Sequence, residues 1–216
     1  MNNISSDIAK MRREYALKTL LESEVNANPL IQFSLWLQES IDAQAYEPNA
    51  MTLATCDAKA QPSARIVLLK AIEDGGFVFF SNYDSRKGQE IDANPLAALV
   101  FIWHELERQV RVEGCLEKIS ASESDSYFKQ RPEKSKLGAW VSPQSKTIAG
   151  RDFLESQMQL YKDKFCGQEI PRPPHWGGYI LRPHKIEFWQ GRSSRLHDRI
   201  EYAYDGSLWS IRRLAP

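Results

Sequence analysis

Cysteine and long apolar segments are both scarce in this chain. Its three cysteines, Cys56, Cys115 and Cys166, are widely spaced and include no CxxC pair. Neither a zinc site nor a dithiol is indicated, and we expect each cysteine to be a small buried hydrophobe. The longest apolar run, 96–103, is far too short to cross a bilayer, and residues 1–10 lack the apolar core of a signal peptide. We therefore expect a cytoplasmic protein that does not bind membranes.

An excess of charge and the common catalytic motifs are missing as well. Lys plus Arg number 28 and Asp plus Glu number 28, so affinity for anions must come from local clusters of cations rather than from the whole molecule. The motifs GxGxxG, GxxxxGK[ST], HExxH and GxSxG do not occur, which argues against dinucleotide, P-loop, zinc-hydrolase and serine-hydrolase sites. An oligonucleotide-binding barrel is an alternative that the balanced charge disfavours.

The hydrophobic pattern changes period several times along the chain and favours strands over helices. Asn28 followed by Pro29 predicts a helix start, and Asp74-Gly75-Gly76 and Asp205-Gly206 predict turns. The strands follow one another too closely for βαβ crossovers, so we expect an antiparallel barrel, closed or half closed, with helices outside. We predict helices at 8–22, from 29 onwards, 122–130 and 152–165, and strands at 51–56, 64–72, 77–81, 96–103, 108–119, 178–190, 196–204 and 207–214.

Three potential cations stand at alternate positions near the end of the chain. If this segment is extended, Arg195, His197 and Arg199 share one face, because side chains two apart on a strand point the same way. Crowded like charges are costly unless an anion binds them, so the pattern favours a site for a flat, anionic ligand. The alternative is a solvated strand edge, where basic residues discourage pairing with another strand.

A second pair of cations lies at the two ends of the apolar segment RIVLLK. Alternation places Arg65 and Lys70 on opposite faces of a strand, and five strand steps separate them by roughly 16 Å. One small phosphate cannot easily meet both, whereas an elongated ligand or two ligands could do so if the strand bulges or lies at an interface. The alternative is that both side chains extend from a half-buried strand into solvent.

Several hydroxyl and basic side chains form possible phosphate clamps. Tyr127 and Arg131 are four residues apart on a predicted helix and share a face, with Ser135 in the loop beyond. Phenol, guanidinium and hydroxyl groups together suit a phosphate, to which arginine offers a bidentate fork. The segments 85–87 and 144–145 are weaker candidates, since either could be a solvated turn.

Ten short motifs occur in a fixed order over nearly the whole chain. They are RREY at 12–15, RIVLLK at 65–70, SRK at 85–87, ERQVRVEG at 107–114, YFKQRP at 127–132, LGAWVSPQS at 137–145, WGG at 176–178, EFWQG at 187–191, RLHDR at 195–199 and RLAP at the end. In this order and spacing they resemble the pyridoxine 5′-phosphate oxidase family, also called the pyridoxamine 5′-phosphate oxidase family.

The resemblance implies a homodimeric, FMN-binding split β-barrel, mainly β with flanking helices, that holds its cofactor at the subunit interface. It implies oxidation of pyridoxine or pyridoxamine 5′-phosphate to pyridoxal 5′-phosphate, in pyridoxine biosynthesis. Hydride passes from C4′ to the flavin, and O2 reoxidises the flavin and gives hydrogen peroxide. Residues 1–216 would form one domain, with 1–11 disordered and 12–45 helical.

Site residues follow from the resemblance motif by motif. The implied FMN contacts are Arg65, Ile66, Val67, Leu68, Leu69, Lys70, Phe80, Ser81, Arg86, Lys87, Gln109, Gln144, Ser145, Trp189 and Arg199. The implied substrate-phosphate ligands are Lys70, Tyr127, Arg131 and Ser135. The substrate ring would face Arg195, Leu196 and His197, of which Arg195 and His197 are the catalytic candidates. A mobile segment that covers the substrate would comprise Arg12, Arg13, Glu14 and Tyr15.

Two further functions stay open from the sequence. One is a flavin-binding split-barrel oxidoreductase with another substrate, which would give no reason for the residues assigned to the substrate. The other is a carrier of pyridoxal phosphate without catalysis, which would give no reason for the flavin set.

Overall fold

The computed structural model describes residues 14–216, and this part of the chain contains nine strands and five α-helices. The strands are β1 (Ala50–Cys56), β2 (Pro62–Leu68), β3 (Ala71–Glu73), β4 (Gly76–Asn82), β5 (Leu96–Trp103), β6 (Arg108–Lys118), β7 (Trp176–Gln190), β8 (Asp198–Tyr204) and β9 (Trp209–Arg213). The helices are α1 (Pro29–Asp42), α2 (Arg86–Ala93), α3 (Ala121–Gln130), α4 (Glu133–Val141) and α5 (Arg151–Lys164). Short 3-10 turns occur at His104–Leu106 and Ser193–Arg195.

The strands form one sheet in the order β2-β1-β5-β6-β7-β4-β3, and β8 pairs with both β7 and β9. Strand β1 is antiparallel to both its neighbours, so Thr52 lies opposite Ile66 in β2 and Val100 in β5. The two predicted turns are confirmed. Asp74 and Gly75 join β3 to β4 with φ of 48° and 77°, the left-handed conformation that a tight hairpin turn requires.

Contacts divide the chain into two compact units, and the first comprises Phe101–Arg111, Lys185–Pro216 and the described part of Met1–Pro48. Aromatic side chains of α1 form its core. The ring of Phe33 lies 4.8 Å from that of Phe101, and Trp36 lies 5.1 Å from Phe188. Asn28 caps the helix as predicted, because its side-chain oxygen accepts the first free N–H groups.

The second unit comprises Asn49–Val100 and Val112–His184. Its sheet buries large side chains such as Leu53, Phe79 and Leu181 completely. A separate apolar cluster forms among the helices and the loop after them, and contains Phe128, Leu137, Ile170 and Trp176. This cluster sets the position of α3 and α4, which carry several of the predicted site residues.

The N-terminal helix predicted at 8–22 is wrong over its described part. Residues 14–28 contain no helix, so within the described part of the predicted helical range 12–45 only Pro29–Asp42 is an α-helix. The backbone N–H groups of Ala16 and Leu17 donate instead to the carboxylate of Glu107. A tertiary acceptor therefore replaces the hydrogen bonds that a helix would make. The predicted disorder of 1–11 lies outside the described residues.

Four smaller predictions also fail. The strand predicted at 64–72 is broken at Leu69 and Lys70, whose N–H groups donate to Asn49 and Val78. Helix α4 was not predicted, and it includes Ser135, which was expected in a loop. The last strand pair begins at Asp198 rather than at residue 196. The expectation that each cysteine is buried is also wrong, because Cys166 is exposed and Cys56 and Cys115 are only partly buried.

Within residues 14–216, no helix combines the length and apolar character needed to cross a bilayer.

We predict opposite effects of the same substitution at two helical glycines. In Gly88→Ala the new methyl carbon would lie 1.9 Å from the carbonyl oxygen of Tyr83, so the backbone must move and the free energy of unfolding should fall by about 1 to 3 kcal/mol. In Gly138→Ala no heavy atom lies within 4 Å, and stability should rise by up to about 1 kcal/mol. Urea unfolding followed by circular dichroism measures both, and equal stabilities would contradict the packing of Tyr83 on α2.

Candidate functional site

A buried carboxylate organises the first group of predicted site residues. Glu90 on α2 is 4% exposed. Its oxygens accept hydrogen bonds from Thr55 Oγ1 at 2.5 Å, Ser63 Oγ at 2.6 Å, Arg86 Nε at 2.8 Å and Arg65 NH2 at 3.2 Å. Burial opposes ionisation, but these four donors hold the pKa of Glu90 at about 2. Glu90 is therefore a fixed anion around which cations gather.

Arg65 is held rigidly by this arrangement. In the β1–β2 register it lies opposite Leu53, whose carbonyl oxygen accepts from NH1 at 3.3 Å. Its guanidinium also donates to the hydroxyls of Thr55 and Ser63. The side chain is thus positioned by β1, β2 and α2 together.

Lys87 lies beside this cation and is almost fully buried, with 9% exposure. Its Nζ donates to Gln144 Oε1 at 2.8 Å and to Ser85 Oγ at 3.2 Å. Desolvation, followed by the charge of Arg65, lowers the pKa of Lys87 to about 8. With Arg65, Arg86 and Lys87 around one Glu90 carboxylate, the group, here called the cation cluster, carries surplus positive charge that suits a phosphate.

A second predicted group gathers around stacked aromatic rings. Phe80 and Tyr127 stack with centroids 3.8 Å apart, and Trp176 stacks on Phe80 at 5.4 Å. The guanidinium of Arg131 lies 4.4 Å above the ring of Trp176. Burial lowers the pKa of Arg131, and its NH1 atom is buried without a hydrogen-bond partner among the described residues. A buried guanidinium nitrogen without an acceptor indicates a place for an anion. Ser135, in the first turn of α4, is half-buried.

In the first unit, His197, one of the three predicted ring-facing residues, lies in a group with the aromatic rings of Trp189 and Tyr15. The ring of His197 lies 4.6 Å from Trp189 and 5.8 Å from Tyr15. His197 Nδ1 accepts the backbone N–H of Arg192 at 3.1 Å, which assigns the proton of the neutral ring to Nε2. Desolvation and then Arg195 lower the pKa of His197, so the imidazole is neutral at pH 7 and Nε2 is a donor.

The predicted row of three cations on one strand face is wrong. Arg195 is exposed in a 3-10 turn with φ of 62°, and His197 precedes β8. Arg199 lies on β8 and is paired with Glu187 at 2.8 and 3.1 Å, while its NH1 donates to Ala215 O at 2.7 Å. The hydrogen bond and charge of Glu187 raise the pKa of Arg199. A 3-10 turn thus replaces the extended backbone that the spacing assumed.

The other predicted residues lie at separate places. Gln109 on β6 and Trp189 on β7 line a cavity of about 330 Å³ in the first unit, together with Tyr15. In the second unit, Leu69 and Ser81 are buried, Val67 is half-buried, and Ile66, Leu68, Lys70 and Ser145 are exposed. Leu196 and Glu14 are exposed in the first unit. Arg12 and Arg13 lie outside the described residues.

Sequence reasoning missed three residues that build these groups. Glu90 could have been found from its i,i+4 spacing to Arg86. Trp176 lies in the motif WGG, and Glu107 opens the motif ERQVRVEG, but neither motif indicates a role by spacing alone. Their contacts join segments far apart in the chain, which no local pattern reports.

Two family models match the chain. One, described as pyridoxamine 5′-phosphate oxidase, covers residues 37–164. The other, described as the pyridoxine 5′-phosphate oxidase C-terminal dimerisation region, covers residues 176–216.

Curated relatives match over almost their full length. A pyridoxine/pyridoxamine 5′-phosphate oxidase from Acaryochloris marina is 55% identical, covering 98% of this chain and 96% of the relative. A protein of the same name from Nostoc sp. is 58% identical, covering 97% and 98%.

Two solved structures share the fold of this chain. PhzG from Burkholderia lata, in complex with tetrahydrophenazine-1-carboxylic acid, superimposes with a TM-score of 0.87 at 30% identity, covering 93% of this chain and all of that one. An FMN-binding protein from Nostoc punctiforme related to pyridoxamine 5′-phosphate oxidase has a TM-score of 0.69 at 17% identity, with 87% and 97% coverage. The predicted fold class, a mainly β split barrel with flanking helices, is confirmed. By these matches the chain belongs to the pyridoxine/pyridoxamine 5′-phosphate oxidase family.

Proposed function

We propose that this protein is an FMN-dependent oxidase that converts pyridoxine or pyridoxamine 5′-phosphate to pyridoxal 5′-phosphate. One observation carries the proposal: the second unit holds two separate positively charged places, the cation cluster and Arg131, each of which can bind an anion. The cation cluster has surplus positive charge around Glu90, and Arg131 has a buried NH1 without a partner among the described residues. A flavin mononucleotide and a phosphorylated substrate bring one phosphate each.

The cation cluster is the proposed site of the FMN phosphate. Lys87 and Arg65 are both fixed by hydrogen bonds before any ligand arrives, so binding costs little side-chain ordering. A phosphate there would also raise the pKa of Lys87, which desolvation lowers, and so favour its charged form. The other proposed FMN contacts are those that the family motifs imply.

Arg131 is the centre of the proposed substrate-phosphate site. Its guanidinium is held over Trp176, and Tyr127 lies in the same aromatic stack. An arginine placed in this way offers a charge-assisted, bidentate contact. Ser135 and Lys70 complete the set that the family motifs imply.

Positioning is the main task of the protein in the proposed reaction. A bound FMN would supply the hydride-accepting chemistry at C4′ of the substrate, with O2 as the final electron acceptor and hydrogen peroxide as its product. With pyridoxine phosphate the hydroxyl proton leaves as well, and with pyridoxamine phosphate water hydrolyses the resulting imine and ammonia is released. His197, neutral and with Nε2 as donor, would hydrogen-bond an oxygen of the substrate ring, and Arg195 would stabilise negative charge there. Fixing a phosphate and a ring at once converts the encounter into an oriented one, which can supply several kcal/mol of barrier reduction.

A homodimer is the proposed assembly. The outer face of β2 exposes Ile66 at 66% and Leu68 at 37%, and the register continues that face through Thr52 to Val100. An apolar sheet face of this kind needs a cover. We propose that a second copy of the chain covers it, since residues 176–216 match a dimerisation region.

A different substrate is the second candidate, because the relative from Burkholderia lata was solved with tetrahydrophenazine-1-carboxylic acid. That compound carries a carboxylate instead of a phosphate, and the relative is 30% identical to this chain, whereas the relatives named pyridoxine/pyridoxamine 5′-phosphate oxidase are 55% and 58% identical. Phosphorylated substrates are therefore preferred.

The purified protein should sediment as a dimer, release FMN on denaturation, and form hydrogen peroxide with pyridoxine or pyridoxamine phosphate. The unphosphorylated forms should react far more slowly, because they lack the anion for Arg131. The assay measures peroxide with all four compounds and with a phenazine carboxylate. Bound FAD, an active monomer, or preference for the phenazine would each contradict one part of the proposal.

The affinity for FMN should fall as pH rises above about 8. Lys87 has a lowered pKa of about 8 in the protein without an anion, so it is protonated below that pH and loses its charge above it. Binding then requires uptake of one proton, and the dissociation constant should rise by at most roughly tenfold per pH unit. Fluorescence titration from pH 7 to 10 measures this. In Lys87→Arg, whose cation does not titrate there, the same steepness would show that Lys87 is not responsible.

Three variants should separate cofactor binding, substrate binding and chemistry. Arg131→Ala should raise KM more than it lowers kcat, Arg195→Met should chiefly lower kcat, and Arg65→Ala should weaken FMN and be partly rescued by added cofactor. Each effect should be about 1.5 to 3 kcal/mol, as for hydrogen bonds to charged groups. Stopped-flow reduction of the flavin at varied substrate concentration measures all three. If Arg195→Met reduces flavin at the unmodified rate when saturated, Arg195 belongs with the binding residues.

A further inference from the structure

Glu107 opens one of the family motifs but has no role in the proposed chemistry. It follows the 3-10 turn His104–Leu106 with a left-handed φ of 54° and is 5% exposed. A left-handed conformation is uncommon for a residue with a long side chain, and a buried carboxylate is costly unless donors satisfy it. Both features call for a specific contact.

That contact is with the N-terminal segment. Glu107 Oε2 accepts the backbone N–H groups of Ala16 at 2.9 Å and of Leu17 at 3.2 Å. Leu17 is 57% exposed, and Ala16 is exposed as well, so burial of apolar side chains does not hold these residues. Charge-assisted hydrogen bonds to the carboxylate hold them.

The main chain of Glu107 is hydrogen-bonded to Gln190 and Gly191, at the end of β7 and just beyond it. Its carbonyl oxygen accepts the N–H of Gly191 at 2.8 Å and Gln190 Nε2 at 3.2 Å. A Cβ on Gly191 would lie 2.7 Å from Tyr15 Cγ, so the ring of Tyr15 rests directly on this glycine. Glu107 therefore fixes both the segment that carries Tyr15 and the surface on which Tyr15 packs.

Tyr15 in turn lies beside Trp189 and His197. Its ring centroid is 5.7 Å from that of Trp189 and 5.8 Å from that of His197, with edge-to-face geometry in both pairs. Tyr15 directly precedes Ala16 and Leu17, whose N–H groups donate to Glu107. Its position next to His197 thus depends on the carboxylate.

We propose that Glu107 is a positioning residue that holds Tyr15 against Trp189 and His197 and thereby retains the phosphorylated pyridine substrate. The proposal rests on the proposed function for its kinetic consequence, but not for its structural one. Glu107 acts through residues 15–17 and does not itself touch the substrate.

A second anchor, three residues further on, keeps the effect local. Asp198 Oδ2 accepts the N–H of Leu20 at 3.1 Å, and Arg213 NH2 donates to Leu20 O at 2.9 Å. These bonds do not involve Glu107. Its removal should therefore release residues 14–17 without freeing the chain from residue 20 onwards.

The test compares Glu107→Ala, Glu107→Gln and a matched control, Glu105→Ala, in the FMN-loaded enzyme. Glutamine keeps an oxygen that can accept both N–H groups, whereas alanine removes it. Glu105 is two residues away, and its carboxylate accepts the N–H of Tyr46 instead of bonding the N-terminal segment. Amide hydrogen exchange of residues 14–20 is measured by NMR, and KM and kcat are measured with pyridoxine phosphate.

In Glu107→Ala, exchange of the Ala16 and Leu17 amides should speed up by at least tenfold, while that of Leu20 stays unchanged. KM should rise on the order of tenfold, with a smaller change in kcat and normal FMN content. Glu107→Gln should lie between Glu107→Ala and the wild type, and Glu105→Ala should match the wild type.

Unchanged exchange at Ala16 and Leu17 in Glu107→Ala would overturn the anchor. Faster exchange with an unchanged KM would overturn its role in retaining substrate. Loss of FMN, or faster exchange throughout the first unit, would show a general structural role instead. Failure of the proposed function is distinguishable, because the wild type would then not oxidise pyridoxine phosphate although the exchange measurement still reports the anchor.

Discussion

The ionised carboxylate of Glu90 is the interaction on which the proposed cofactor site depends. Arg65, Arg86 and Lys87 could not gather in one place without an anion, because like charges at such distances repel strongly where water is scarce. Glu90 supplies that anion, and four donors keep it ionised with a pKa of about 2. It compensates only part of the positive charge, so the cluster is ordered without a ligand and still attracts one. Because Glu90 neutralises only part of the positive charge, the fold is stable and the proposed phosphate site is still positively charged.

Buried carboxylates in the first unit also determine which side chains and backbone groups are already hydrogen-bonded within the fold. Glu187 occupies Arg199 with two hydrogen bonds, so this arginine is already part of the fold. The carboxylate of Glu107 accepts hydrogen bonds from two backbone N–H groups and so fixes the position of Tyr15. His197 remains neutral because desolvation and Arg195 lower its pKa. Each acidic residue thus assigns a structural or a chemical role to its neighbours.

Phosphate recognition and ring recognition draw on different physics. Long-range charge and rigid donors suit the phosphate, as in the cation cluster and at Arg131. Aromatic packing and a neutral imidazole donor suit a flat, polar ring, as at Trp189 and His197. The proposed oxidase needs both kinds of recognition.

Local signals in the sequence determined the turns at Asp74-Gly75 and Asp205-Gly206, the cap at Asn28 and most of the strands, because these depend on neighbouring residues alone. Motif order was enough to assign the family, and it selected Arg65, Lys87, Gln144 and Arg131 before any geometry. Only the tertiary structure decided that residues 14–28 are not helical and that Arg195 leaves the strand. It also decided that Arg199 is paired with Glu187 and that Glu90 and Glu107 organise their groups. Each of these outcomes rests on a contact between segments distant in the chain, such as the 91 residues from Ala16 to Glu107. Such contacts depend on the folded arrangement and leave no trace in local spacing.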